Sequence, residues 1–415
     1  MNAQIITIGD EILIGQVIDT NSAWMASELT KLGFSISQIV SIPDNEKNIA
    51  SSINEALKLN NLIVLTGGLG PTNDDITKHT LCSLFKTELE FNTAVHADIK
   101  KFLKQRGGKM NTLNRDQALF PKAAKLLRNR QGTAPGMWFE QNGKVVISLP
   151  GVPWEMKGIF NDEIADKATS FFELPNNFYQ TVMITGIAEA QLALKLNNWE
   201  NQLPASIKLA YLPSPGVIRL RLGIKGKNKK LLQETIEAEV KKLHKIIPEI
   251  IFSDTEVTLQ EAIGKLLINS NKTLSIAESC TGGTIAQMIT SIPGSSKYFK
   301  GSVVAYSNEI KSGMLAVDDK IIEKHGAVSK EVVELMAIGA RKKLNTNYAI
   351  ATSGVAGPGG GTDDKPVGLI WIAVSGLKGT ISKKFMFGKE RDINIKRSSI
   401  AALNMLRKVL IAESK

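Results

Sequence analysis

The sequence predicts an α/β protein, with one sheet near each end of the chain and a small α+β module between them. Three observations carry this reading. At both ends short β-rich runs alternate with stretches of helical period. Each end also has an apolar run that passes directly into a glycine-rich turn and then a helix. Finally, 415 residues exceed what one ordinary core holds, so two or three domains are expected.

In the first segment, strands are expected over residues 5–8, 35–40, 62–66 and 145–149, with helices over 24–32, 49–57 and 75–85. Strands alternating with helices argue for a mainly parallel sheet covered on both faces. The middle segment reads strand 179–184, helix 189–197, strands 208–212 and 217–223, and a long amphipathic helix 229–246, punctuated by Pro204, Pro213, Pro215 and Gly216. The last segment reads helix 259–269, strand 273–277, a glycine turn with a helix, strands 302–306, 348–353 and 369–374, and a final helix 395–411. Domains are therefore placed at 1–170, 171–253 and 254–415.

Composition narrows the class. The chain is 43% apolar and 22% charged, which is globular. Its longest apolar runs, such as 369–374, fall well short of a membrane span of ~20 residues. Residues 5–8 read as a strand leading into a polar motif, not a signal peptide. Cys82 and Cys280 lie far apart and the four histidines are scattered, so a cytoplasmic protein without a disulfide framework or zinc site is expected. The net charge of +11 is mostly interspersed with Glu. Where lysines cluster, between 225 and 245, no aromatic residues interleave, which disfavours a base-stacking platform for nucleic acid.

The sharpest N-terminal feature is Gly67-Gly68-Leu69-Gly70-Pro71-Thr72-Asn73-Asp74-Asp75, directly after the apolar run 62–65. A strand, a glycine turn and a helix start aim backbone N–H groups at phosphate oxygens, and glycine lets the backbone approach closely. The lysine of a P-loop is missing, so a kinase-like role is disfavoured. Thr72 and Asp74 can add oxygens and Asp75 can cap the helix. Gly9-Asp10-Glu11 follows the first strand, with Thr20 and Asn21 ahead of the next helix. Carboxylates from the two clusters, at carboxyl ends of parallel strands, can hold a divalent ion against a pyrophosphate. A tight βα turn with an ordinary cap and a solvated Glu11 is the plain alternative.

At the other end, Glu278-Ser279-Cys280-Thr281-Gly282-Gly283 follows a strand and opens a helix. Such a turn exposes the Ser279 hydroxyl beside N–H groups able to stabilise an anion. A serine nucleophile needs a base. His325 can supply one in a triad, and Lys311 with Tyr306 can supply another if burial lowers the lysine pKa. Cys280 reads as a small packing residue, with a cysteine hydrolase as the minority reading. A second loop, Ser353-Gly354-Val355-Ala356-Gly357-Pro358-Gly359, is expected to cradle phosphate or ribose.

Together with Asn114-Arg115, Gly132-Thr133-Ala134-Pro135-Gly136 and Leu149-Pro150-Gly151-Val152-Pro153, these motifs resemble, in order, the signatures of the competence/damage-inducible protein A (CinA) family. The resemblance implies a three-layer N-terminal domain of molybdopterin-binding-protein fold, a KH-like middle domain, an α/β deamidase domain and homodimers. It implies ADP-ribose hydrolysis to AMP and ribose 5-phosphate at the N-terminal site, with magnesium, manganese or cobalt. The residues it places there are Glu11, Asn21, Gly67, Gly68, Gly70 and Thr72, with Asp74 and Asp75 for the metal. At the C-terminal site it implies metal-free conversion of nicotinamide mononucleotide (NMN) and water to nicotinate mononucleotide and ammonia. Ser279 is the implied nucleophile, assisted by Tyr306 and Lys311, with Thr281, Gly282, Gly283, Ser353, Gly357 and Gly359 around the substrate. The family's second loop more often begins with threonine. Arg397, with Arg391 as the alternative, is the implied phosphate ligand. Two other readings stay open: a molybdopterin-binding protein, and a DNA-associated module of competence or damage response.

Overall fold

The computed structural model describes residues 1–72 and 75–414. By Cα packing the chain divides into two units: residues 1–178 with 225–232, and 179–224 with 233–415.

The first unit is built on a six-stranded sheet in the order β2-β1-β3-β8-β7-β6, from β1 (Asn2–Ile8), β2 (Ser35–Ile42), β3 (Leu62–Thr66), β6 (Lys125–Leu127), β7 (Gly136–Gln141) and β8 (Lys144–Leu149). A small antiparallel pair, β4 (Leu89–Phe91) and β5 (Leu119–Pro121), stands apart from it. The expected parallel arrangement holds for β2, β1, β3 and β8, but β7 and β6 are antiparallel. The reason is local: Asn142-Gly143, both at positive φ, close a tight hairpin between β7 and β8, which only antiparallel neighbours permit.

Both faces of the sheet are covered. Ile5, Leu62, Val64, Val145 and Ile147 pack with Met25 and Leu29 of the helix Thr20–Leu32 and with Met156, Ile159 and Phe160. Ile6, Ile8, Ile63, Leu65 and Val146 pack on the other face with Ile49 and Ile53 of the helix Glu46–Leu59. Side chains that alternate between two buried faces make the strands read as unbroken apolar runs.

The middle module, most of it in the second unit, is a four-stranded sheet, β10-β11-β9-β12, from β9 (Asn176–Thr185), β10 (Ile207–Ser214), β11 (Val217–Gly226) and β12 (Ile251–Ser253). The helices Glu189–Glu200 and Lys229–Ile246 accompany it. The C-terminal domain carries a five-stranded sheet in the order β14-β13-β15-β16-β17, from β13 (Leu274–Glu278), β14 (Phe299–Val304), β15 (Tyr348–Gly354), β16 (Leu369–Gly376) and β17 (Gly379–Met386). Its first three strands are parallel and the last two antiparallel. One face packs Leu274, Ile276, Ile350 and Ile372 against the helices Leu259–Asn269 and Arg391–Glu413. The other presents Ala277, Ala349, Ala351 and Ala373 to the helix Lys330–Lys343. Arg407, buried in the last helix, donates to the carbonyls of Glu249 (2.7 Å) and Ile251 (3.1 Å), joining the middle module to this domain. No helix among the described residues is long and apolar enough to cross a membrane.

Candidate functional site

Both glycine loops fall where strand order reverses. In the first unit the chain passes from β1 to β2 on one side and then returns to β3 on the other, opening a crevice at their carboxyl ends. The second unit repeats this with β13, β14 and β15.

The N-terminal crevice is a cleft of about 460 Å³ lined by Glu11, Asn21, Gly67, Gly68, Gly70 and Asp75 among others. Gly67 sits at φ 114°, its N–H donating to Leu149 O at 3.1 Å, and a Cβ there would fall onto the Ile8 carbonyl. Only glycine lets the two loops approach so closely. Asn21 is buried; its amide donates to Gly151 O (2.7 Å), and its Oδ1 has no partner among the described residues. Such an orphan on a cleft wall is an acceptor awaiting a donor.

Two expectations are corrected here. Asp75 neither caps the helix, which begins after Ile76, nor offers a free carboxylate. Its oxygens accept from Gly70 N (2.7 Å), Thr72 N (3.0 Å) and Thr72 Oγ1 (2.5 Å), so it clamps the glycine loop. Thr72, its hydroxyl committed to Asp75, is not on the cleft wall. The metal role given to Asp74 lies outside the described residues. Among the described residues no three His, Cys, Asp or Glu converge on a metal position. The carboxylates along the cleft, Glu11, Asp19, Asp44, Asp75 and Glu155, are hard oxygen donors, which suits a magnesium-like ion completed by substrate phosphates and not a preassembled cage.

Sequence reasoning missed Gln117 and Glu155. Gln117 is 4% exposed, lines the cleft, and leaves both amide atoms without partners among the described residues. Burial pushes the Glu155 carboxyl up, partly offset by the Asn129 amide at 2.6 Å, which makes it a group able to carry a proton. Glu155 follows the Pro150-Gly151-Val152-Pro153 motif by two residues, and that proximity was the available signal. Gln117 gave none.

In the C-terminal crevice, Ser279 follows β13, is 9% exposed, and donates its N–H to Thr352 O at 3.0 Å. Gly282 and Gly283 take φ of 60° and 96°, the left-handed turn that starts the next helix. The turn is held from beneath by Glu278. This buried carboxylate accepts Gly283 N (3.0 Å), Ile285 N (3.1 Å), Ala286 N (2.9 Å) and the Thr281 hydroxyl (2.7 Å). Thr281 is thus corrected from substrate contact to support, its hydroxyl also meeting Thr352 Oγ1 at 2.8 Å. The same holds for Ser353, buried with its hydroxyl on Ala327 O at 2.7 Å.

Tyr306 is 64% exposed, and Arg391 joins it to the second loop through bonds to its phenol oxygen and to Gly357 O. Gly359 lies in the exposed part of that loop. Arg397 lines a different cavity with none of these residues, whereas Arg391 is the arginine bonded to Tyr306 and Gly357. Lys311 is 2% exposed; burial lowers its pKa, and its ammonium donates to the carbonyls of Ala305 (2.9 Å), Tyr306 and Ser307 (both 3.4 Å). His325 faces Glu331 at 3.6 Å and not the serine turn. Burial pushes the Cys280 thiol up to about 12, which leaves it protonated and a poor nucleophile.

Fold and sites together define a three-domain α/β protein: a molybdopterin-binding-like domain, a KH-like module and a second α/β domain. Residues 4–168 match the probable molybdopterin binding domain, 179–253 the damage-inducible protein CinA KH domain, and 256–410 the CinA C-terminal domain. The chain belongs to the CinA family. A CinA-like protein of Cytophaga hutchinsonii is 46% identical over 98% of both chains, and one of Flavobacterium psychrophilum 43% identical over 99% of both. A crystal structure of competence/damage inducible protein CihA from Agrobacterium tumefaciens is similar at 36% identity, covering 36% of this chain and 93% of its own, with a TM-score of 0.36.

Proposed function

We propose that the chain is a bifunctional nucleotide hydrolase of pyridine nucleotide recycling, deamidating NMN at the C-terminal crevice and cleaving ADP-ribose at the N-terminal one. The observation that carries the first activity is Ser279 at a switch point, just ahead of a left-handed glycine turn, in the crevice where Arg391 bonds Tyr306 to the Gly357 loop. Ser279 Oγ attacks the carboxamide carbon, and its proton passes by way of Lys311 and Tyr306 to the departing amide nitrogen. The C–N bond breaks and ammonia leaves. Water then cleaves the acyl ester, giving nicotinate mononucleotide and free Ser279. Backbone N–H groups after Ser279 hold the oxyanion, and Arg391 holds the phosphate.

At the N-terminal cleft the turn after β3 holds the pyrophosphate and Asn21 the leaving half, while Glu155 carries the proton. A bound divalent ion supplies charge neutralisation at the phosphates. Purified full-length protein incubated with NMN should release ammonia. No release above a Ser279→Ala control would remove the amidase reading, whatever happens to ADP-ribose.

A further inference from the structure

Within the second unit a separate cavity of about 770 Å³ opens between the middle module and the C-terminal domain. Its walls are the turn after β9, the turn between β10 and β11, β17 and one face of the last helix; Ser279, Tyr306, Lys311 and Arg391 do not line it. The volume is that of a small-molecule pocket.

Four features point to what fits. Lys383, Arg397 and Lys408 are exposed on its walls without an ion-pair partner among the described residues, against one carboxylate, Glu189. Phe385 near the end of β17 and Phe387 just after it stand side by side, centroids 5.6 Å apart and planes within 14°. The helix Glu189–Glu200 begins at the cavity with Ala188 as its N-cap, so no side chain takes its first N–H groups.

The fourth feature is Asn404, 7% exposed. Its Oδ1 accepts Arg407 Nε at 3.0 Å, and because a guanidinium only donates, the amide cannot be turned the other way. Its NH₂ therefore faces the turn at Gly186, where a Cβ would lie 2.9 Å away, and no described residue accepts from it. A donor with a fixed direction therefore faces the cavity.

We propose that this cavity binds a small phosphorylated aromatic molecule of mononucleotide size. The phosphate lies among Arg397, Lys408, Asn404 Nδ2 and the helix start, and the ring lies against Phe385 and Phe387. A nucleic-acid strand fits less well. The KH turn that clamps such a backbone is Gly-x-x-Gly, whereas this chain has Gly186-Ile187-Ala188-Glu189, with a carboxylate at the last position.

The full-length protein, irradiated with 8-azido-AMP and digested, tests this. Label is expected on the peptide carrying Phe385 and Phe387, displaced by AMP but not by adenosine or ribose 5-phosphate at equal concentration. The apparent Kd should rise about tenfold or more in the Arg397→Ala/Lys408→Ala double variant. It should rise as much in Asn404→Asp, which keeps the bond to Arg407 and sets a negative charge against the phosphate. Unchanged circular dichroism and ligand-free melting show that both variants are folded. No label on that peptide, label that persists in both variants, equal displacement by ribose 5-phosphate, or stronger displacement by a single-stranded oligonucleotide would each overturn the proposal.

Discussion

Arg391 donates one N–H to the Tyr306 phenol oxygen at 3.3 Å and another to the Gly357 carbonyl at 2.9 Å, tying a helix start to both walls of the C-terminal crevice. A guanidinium that still has donors to spare is suited to a phosphate. Arg391→Ala should therefore lower kcat/KM for NMN by roughly 30- to 100-fold, mostly through KM, as expected for a lost charged hydrogen bond. Arg397→Ala should leave it within a few-fold of wild type. Steady-state kinetics decide between them, and the opposite ranking would return the phosphate to Arg397.

Ser279→Ala should abolish ammonia release, by up to ~10⁶ in kcat, with the fold intact. Cys280→Ala should retain most activity, since burial keeps its thiol protonated. A folded but inactive Cys280→Ala protein would transfer the nucleophile to the cysteine.

Lys311 separates a base from an anchor. Burial holds its pKa below the ordinary lysine value, so the neutral amine becomes accessible as pH rises, and the rate should rise through that lowered pKa. To act as base the amine must release at least one of its three carbonyls. Lys311→Arg keeps a cation and its donors but cannot deprotonate, so it should lose the rate and its pH dependence together. The stability sign is also fixed. The unfolded chain binds the proton more tightly, so folding gains stability as pH rises from the lowered pKa to the unfolded one, and Lys311→Met should lose that rise. An active Lys311→Arg enzyme would leave Lys311 as the anchor of residues 305–307.

Glu278 is the support on which the serine turn rests, its carboxylate accepting four donors in a buried place. Glu278→Gln replaces an acceptor by an NH₂ that faces N–H groups, and should cost about 2–4 kcal/mol. Denaturant unfolding reads this. A loss below ~0.5 kcal/mol would mean that the turn holds itself.

The elements legible in the sequence were those with one strong period. β3 and the helices Lys229–Ile246 and Leu259–Asn269 fall where apolar spacing puts them. β17 was not legible: it is an exposed edge strand, reading Gly-Thr-Ile-Ser-Lys-Lys-Phe-Met, with polar residues where a buried strand would be apolar. At the serine site the nucleophile turn could be read because strand, glycine and helix are contiguous. The choice between Arg391 and Arg397 could not, since six residues along a helix turn the side chain by about 120° and only the packed sheet tells which face meets Tyr306. Gln117 and Asn404 stayed hidden for a related reason. Gln117 matters because its buried amide is left unpaired, and Asn404 because Arg407 fixes which way its amide faces, both properties of the fold and not of any motif.

The two ends of the chain should respond differently to a chelator. The N-terminal cleft offers hard oxygen donors beside a glycine turn, whereas the serine turn is surrounded by hydroxyl, phenol, ammonium and backbone N–H groups. Chelation should stop ADP-ribose cleavage and spare ammonia release, with magnesium or manganese restoring the former. Asp75→Asn should also weaken ADP-ribose cleavage, but through the loop: its amide cannot accept from Gly70 N and Thr72 together as the carboxylate does. Adding metal should therefore not rescue it. Gln117→Leu, which removes two unpartnered buried polar atoms, should stabilise the ligand-free protein by about 1 kcal/mol or more while raising the KM for ADP-ribose. A Gln117→Leu protein that is less stable and binds normally would show that the amide serves the fold. If chelation instead silences ammonia release, and metal restores it, a metal-activated water replaces Ser279 as the nucleophile.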